Sequence, residues 1–394
     1  MDATPDATAP DPDFVLPDYA GGGLANLMSS ITTALADGSP YPTLAALPPE
    51  TLAAARHVLL LVVDGLGSAF LKRQGGPLRR CMRAELTSVF PSTTASAIPT
   101  FLTGLAPQQH GLTGWHMYFR EIGAVVAPLP FRLRTGRQAL RDAGVSPASL
   151  FGLTPLFARL TRAGHVVSPQ NIVHSDFNVA LAGPAQRYGY DSLEEMFAVL
   201  ADLLRRPAPS YIHAYWPRLD SLAHEHGVDS AEVIDAFNAL NASFTRLIES
   251  ARDSVIVVTA DHGFIDSPAG ETIDLDDHPA LRATLVLPLC GEARAAYAYV
   301  RAGREAEFEA YVAAELADRV RVFRSASLIR DGWFGPGQAH PALGDRIGDY
   351  LLLPRGRAIL RDWLRGEVRH THLGVHGGAS AAEMRVPLVV AERR

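Results

Sequence analysis

Six consecutive apolar residues, Val58 to Val63, run straight into Asp64-Gly65. A short run that is apolar at every position, mostly branched and closed by a turn, reads as a strand buried on both faces. The pattern returns at SVIVVT, 254–259, which leads into Asp261-His262-Gly263, and at SYIHAYW, 210–216, which enters a polar turn before Asp220. RVPLVVAE near the C-terminus is a fourth case. Buried parallel strands predict an α/β fold, a central mostly parallel sheet flanked by helices. Ligands in such sheets bind outside the carboxyl ends of the strands, where Asp and His now cluster. Residues 24–56 predict helical pieces broken by Gly38, Pro40, Pro42 and Pro48-Pro49.

The pattern changes between about Asp266 and Leu343. LRATLVLPLC, AAYAYVRAG and VRVFRSASLI predict short strands. REAEFEAYVAAELADRV has a helical period, with Phe308, Tyr311, Val312 and Leu316 on one face. The expected organisation is a disordered tail over 1–22, a core domain over 23–265 and 344–394, and a small α+β cap inserted over 266–343.

Composition narrows the function. With 394 residues, 47% hydrophobic and 20% charged, the chain can bury a sizeable core without staples. Two cysteines, Cys81 and Cys290, exclude a disulfide scaffold or a cysteine-ligated zinc finger. A net charge of −6 argues against a surface that coats nucleic acid. Lys72 is the only lysine and lies outside any GxxxxGK[ST] pattern, which excludes a P-loop. No apolar run is long enough to span a membrane, and the acidic, Pro/Ala-rich N-terminus lacks a signal-peptide pattern. A cytoplasmic location is expected.

The strand ends offer Asp64, Asp220, His224, Asp261 and His262, and a late His-Gly-Gly adds His376. Each has an ordinary reading by itself. Asp-Gly is a turn, DxxxH is one face of a solvated helix, and His-Gly-Gly is a loop. Together, three aspartates and three histidines form an oxygen/nitrogen set that suits two divalent ions, zinc or manganese. Two such ions would clamp an in-line displacement at phosphorus. A nucleophile is offered by SVFPSTTASAIPTFLTGL, 88–105, where Ser92, Thr93 or Thr94 stands at the start of a helical run. Capping explains such a cluster. A helix N-terminus also holds anions and eases formation of an alkoxide.

These residues resemble the alkaline phosphatase superfamily, and within it the nucleotide pyrophosphatase/phosphodiesterase (type I phosphodiesterase) family. The likeness rests on VVDGLG, FPSTTAS…LTGLAPQQHGL, DSLAH, TADHGF, and RIGDYLLLP followed by GVHGG, in the family's order from about residue 57 to the end. It implies Thr94 as the nucleophile, bridging the metals. It implies Asp64, Asp261 and His262 around one zinc and Asp220, His224 and His376 around the other. A covalent phosphothreonine intermediate and cleavage of a small phosphodiester or pyrophosphate would follow. The chain departs from the family where base recognition is expected. Ala95 replaces an aromatic after the nucleophile, leaving Tyr215 as the opposing ring. Trp115 takes the place of a phosphoryl-binding Asn, with His116 beside it as a substitute donor. His110 and His213 read as structural. A phosphonate hydrolase or a cofactor-independent phosphomutase of the same superfamily is the alternative. A non-catalytic binding relative would lack a ligand, and all six are present.

Overall fold

The computed structural model describes residues 14–136, 138–369 and 371–394. The central sheet has seven strands. They are β1 (His57–Val63), β2 (Met82–Thr87), β3 (Ala163–Pro169), β4 (Gln186–Tyr190), β5 (Ser210–Trp216), β6 (Ser254–Thr259) and β7 (Arg385–Arg393). Their order is β2-β7-β6-β1-β5-β3-β4. β1 lies between β5 and β6 and is parallel to both, with Val63 opposite Trp216 and Val62 opposite Thr259. The three strands therefore end level. Asp64, Asp261 and the helix carrying Asp220 leave the sheet along one edge.

Two groups of mutually packed helices flank the sheet. One contains Leu24–Leu35, Thr94–Thr103 and Asp176–Ala182, the other Leu193–Arg205, Arg218–His226 and Ala231–Ser250. Every residue of β1 and β6 is buried, as the unbroken apolar runs require.

Four expectations need correction. β7, the RVPLVVAE segment, is buried in the sheet but antiparallel to both neighbours. His376 already stands at the carboxyl edge. The few residues before Arg385 are too short for the crossover that a parallel strand needs, so the chain turns straight back. The cap is also longer than 266–343. Its four-stranded antiparallel sheet runs Cys290–Glu292, Ala295–Ala298, Tyr350–Pro354, Val320–Arg324, and Ile359–Arg361 pairs with Thr272–Asp274. The neck is the short pairing of Ile265–Asp266 with Gly374–Val375. YLLLP reads as a core strand because a cap with its own core buries strands just as deeply; here Leu352 packs with Phe308 and Val312. Two expected cap strands are also partly helical, at Pro279–Ala283 and Ser325–Arg330. Finally, residues 1–13 of the expected tail lie outside the described residues, but the Val15 N–H donates to Ala379 O at 2.7 Å. Ordered chain thus begins by Phe14 rather than after residue 22.

A buried ion pair ties cap to core. Arg294 and Glu383 are 1% and 0% exposed and meet at 2.9 Å. Glu383 also accepts from Gly378 N and Ser380 Oγ, and its carbonyl receives Gly263 N–H. One residue therefore holds both the His376 loop and the Asp261-His262-Gly263 loop. Burial opposes ionisation, but Arg294 and these donors outweigh it and hold the Glu383 carboxyl below the usual glutamate range. Its stabilisation is complete above the ordinary value of about 4.3 and is lost as pH falls through the depressed one. Glu383→Ala should cost about 3–5 kcal/mol, because it strands a buried guanidinium. Urea unfolding of the variant beside the wild type at pH 7 measures it.

Candidate active site

Asp64 follows β1 directly, and the Asp-Gly turn is dictated by crowding. Gly65 has φ +74°, and a Cβ there would lie 2.3 Å from the Phe264 ring. Asp261 and His262 follow β6. Gly263 allows the next turn, since a Cβ there would lie 2.1 Å from Ala382 O. Asp220 and His224 sit one helical turn apart on Arg218–His226, with Oδ1 and Nε2 3.3 Å apart.

The six residues form two groups. In each, the potential ligand atoms lie within 4.8 Å of one another. One is Asp64, Asp261 and His262, fully buried; the other is Asp220, His224 and His376 at the cavity floor. The rings of His262 and His376 stack at 3.6 Å and join the groups. Thr94 opens the helix Thr94–Thr103. Its Oγ1 lies 3.2 Å from His262 Nε2 and 3.5 Å from Asp64 Oδ2. The hydroxyls around it do not cap the helix. Thr93 donates to Glu292 and Ser92 to Gly378 O.

The donor set fits divalent cations. Asp64 Oδ1, Asp220 Oδ1 and Asp261 Oδ2 are buried without a hydrogen-bond partner. Burial, then the charges of Asp220 and Asp261, push the Asp64 carboxyl well above the usual range. Buried like charges need a cation or a proton. All three histidines turn Nδ1 to a backbone carbonyl: His224 to Gly374 O at 2.7 Å, His262 to Gly263 O at 3.0 Å and His376 to Ser92 O at 3.3 Å. That leaves each Nε2 facing the carboxylates, the orientation metal-binding histidines take when the second nitrogen is anchored. Burial, then His262 and His224, hold His376 neutral by lowering its pKa.

The expected substrate residues are placed differently from one another. Trp115 and His116 line a cavity of about 480 Å³ between core and cap. Burial, reinforced by Arg134, lowers the His116 pKa to about 3, so its ring is neutral. Tyr215 is off the cavity wall, and its hydroxyl donates to Asp64 Oδ2. Its hydroxyl is committed to that carboxylate. His110 and His213 are buried away from both groups.

Sequence reasoning missed Glu292, Arg361 and Trp363, which the cap contributes to the same cavity. Glu292 Oε1 accepts from Thr93 Oγ1 and Trp115 N, both at 2.7 Å. Burial raises its pKa to about 7 against these donors. Only the late pairing of Ile359–Arg361 with Thr272–Asp274 places Arg361 here, and no local pattern announces that pairing.

The sequence pattern of the family described as type I phosphodiesterase / nucleotide pyrophosphatase matches residues 58–379. The chain belongs to that family. It is a phosphoester hydrolase of the phosphodiesterase/nucleotide pyrophosphatase kind, and the family is typically metal-dependent. No curated protein sequence matches the chain. Solved structures share the fold. Murine ectonucleotide pyrophosphatase/phosphodiesterase 5, an inactive threonine-to-alanine variant in complex with AMP, gives a TM-score of 0.63 at 18% identity, over 84% of this chain and 87% of that one. The human protein of the same name gives the same values. Phosphonoacetate hydrolase from Sinorhizobium meliloti, in complex with phosphonoformate, gives 0.59 at 21% identity, over 92% and 93%. Among the described residues no helix is long and apolar enough to cross a membrane.

Proposed function

We propose that the chain is a two-metal phosphohydrolase in which Thr94 attacks phosphorus in small phosphodiesters or pyrophosphates. The observation that carries this reading is the Thr94 hydroxyl, set at hydrogen-bond distance from one Asp/Asp/His group and sharing a cavity with the other. Two divalent cations, zinc or manganese, held by these groups would lower the pKa of the hydroxyl and neutralise phosphoryl charge. Asp64, Asp261 and His262 would hold the ion nearer Thr94, and Asp220, His224 and His376 the other. Thr94 Oγ1 forms the new bond to phosphorus as the leaving oxygen departs in line, and water then hydrolyses the phosphothreonine. The N-terminus of Thr94–Thr103, with no acidic residue in its first turn, favours the charge that builds on the phosphoryl oxygens.

A phosphonate substrate is the second reading. Ala95 and Tyr215 are both absent from the cavity wall, so the ring pair expected from the family to clasp a nucleobase is not formed at those two positions. The phosphonoacetate hydrolase above has the same fold. Metal-loaded enzyme should cleave bis-p-nitrophenyl phosphate faster than p-nitrophenyl phosphate, as release of p-nitrophenol will show. A protein that holds two metals yet cleaves neither ester would count against the phosphodiesterase reading.

A further inference from the structure

The charges on the cavity wall nearly all have partners within the protein. Arg134 is bound by Glu367 at 2.8 Å and donates to Leu289 O. Asp362 accepts from Arg282 at 3.0 Å and from Leu289 N at 2.8 Å. Glu292 is taken by Thr93 and Trp115. Asp220 belongs to the metal-binding group.

Arg361 and Arg132 are the exceptions, and Arg361 is the more buried of the two. Arg361 is half-buried on the wall, its guanidinium lies over the Trp363 ring at 5.5 Å, and its side chain has no hydrogen bond or ion pair among the described residues. Glu292 is the acidic group whose charge it feels, yet the two form no ion pair. Arginine keeps its charge even when burial disfavours it, so this cation stays in place with nothing to neutralise it. Its neighbour Arg134 shows what a structural arginine looks like here, with every wing engaged. Arg361 and the aromatic shelf under it both line the cavity, and a planar guanidinium fork is the form suited to a carboxylate or a phosphoryl group. Arg132 is a second arginine on this wall, exposed and also without an ion pair among the described residues.

We propose that Arg361, assisted by Arg132, binds a second anionic group of the substrate, a carboxylate or a phosphoryl group, while the reacting phosphorus sits at Thr94. This specificity rests on the two-metal reading of the site and adds to it. A cavity of about 480 Å³ holds a small molecule with two such ends. The substrates are therefore small dianionic esters, pyrophosphates or carboxylated phosphonates, with a charged distal end where a nucleotide has its base.

The test compares ligands that share one head. Ethylphosphonate carries no second anion, carboxymethylphosphonate adds a carboxylate, and methylenediphosphonate adds a second phosphonate. Calorimetry on the metal-loaded Thr94→Ala protein measures binding without turnover, with and without Arg361→Ala. The second anion should tighten binding by at least about tenfold. Arg361→Ala should bring that ratio to within about twofold, and Arg361→Lys should keep part of it. Which of the two dianions gains more identifies the distal group. Equal binding of all three ligands, or a preference that survives Arg361→Ala in a protein of unchanged melting temperature, overturns the proposal but leaves the metal centre standing. Failure of all three, and of inorganic phosphate, to bind the metal-loaded protein overturns both.

Discussion

Thr94→Ala should lower turnover of bis-p-nitrophenyl phosphate by at least about 10⁴-fold, the scale on which enzymes lose rate when the nucleophile of a covalent mechanism is removed. The expectation rests on position. Thr94 Oγ1 is 3.2 Å from His262 Nε2 and 3.5 Å from Asp64 Oδ2, two members of one group of potential metal ligands. Its backbone opens a ten-residue helix, whose N-terminus favours negative charge beside the hydroxyl. Thr93 is the control. Its hydroxyl donates to Glu292, so Thr93→Ala loses one hydrogen bond and should cost less than about tenfold. Thr94→Ser keeps a hydroxyl at the same place and should retain a measurable rate. Steady-state rates, with metal content checked by elemental analysis, separate the cases. If metal-loaded Thr94→Ala stays within tenfold of the wild type, water attacks directly and Thr94 has no covalent role.

The members of the two groups are legible in the sequence wherever one strand carries its own polar residue to its own end. Asp64 and the Asp261-His262 pair terminate buried apolar runs, and DxxxH carries its spacing in the helix. What brings the three together is the adjacency of β6, β1 and β5, which no local pattern encodes. The direction of β7 was illegible for a physical reason. A strand buried on both faces has the same composition either way it runs, so only the position of His376 at the carboxyl edge settles it. The cap's end is illegible for a related cause, since Tyr350–Pro354 is buried in a second core and its apolar run looks like a strand of the first. Glu292 and Arg361 belong to strands whose partners are far away in sequence, so their place on the cavity wall follows from tertiary structure alone. Tyr215 illustrates the limit of alignment by spacing. It stands on β5 near Asp220, yet its hydroxyl turns to Asp64.

Stripping the metals should abolish activity and destabilise the fold together. Three carboxylates converge here, each with a buried oxygen that has no hydrogen-bond partner among the described residues. At a metal concentration of about 1,000 times Kd, each ion that binds only the folded chain adds about 4 kcal/mol. For a domain this large that is a rise in Tm of roughly 5 °C per ion, about 10 °C for two. The stripped protein should also show a distinctive pH dependence. Burial, Asp220 and Asp261 raise the Asp64 pKa in the folded state, so the folded chain holds a proton that the unfolded chain has released. Its stability should therefore fall as pH rises from the ordinary aspartate value of about 3.9 through the raised one. Metal-loaded protein should reverse this slope, because metal competes with protons for the same oxygens. Asp261→Ala should mimic half of the effect, losing the ion nearer Thr94 while Asp220, His224 and His376 keep theirs. Scanning calorimetry across pH 4–8, before and after chelation and after adding back two equivalents of zinc or manganese, measures all of it. A melting temperature and rate unmoved by complete metal removal would rule out the two-metal reading.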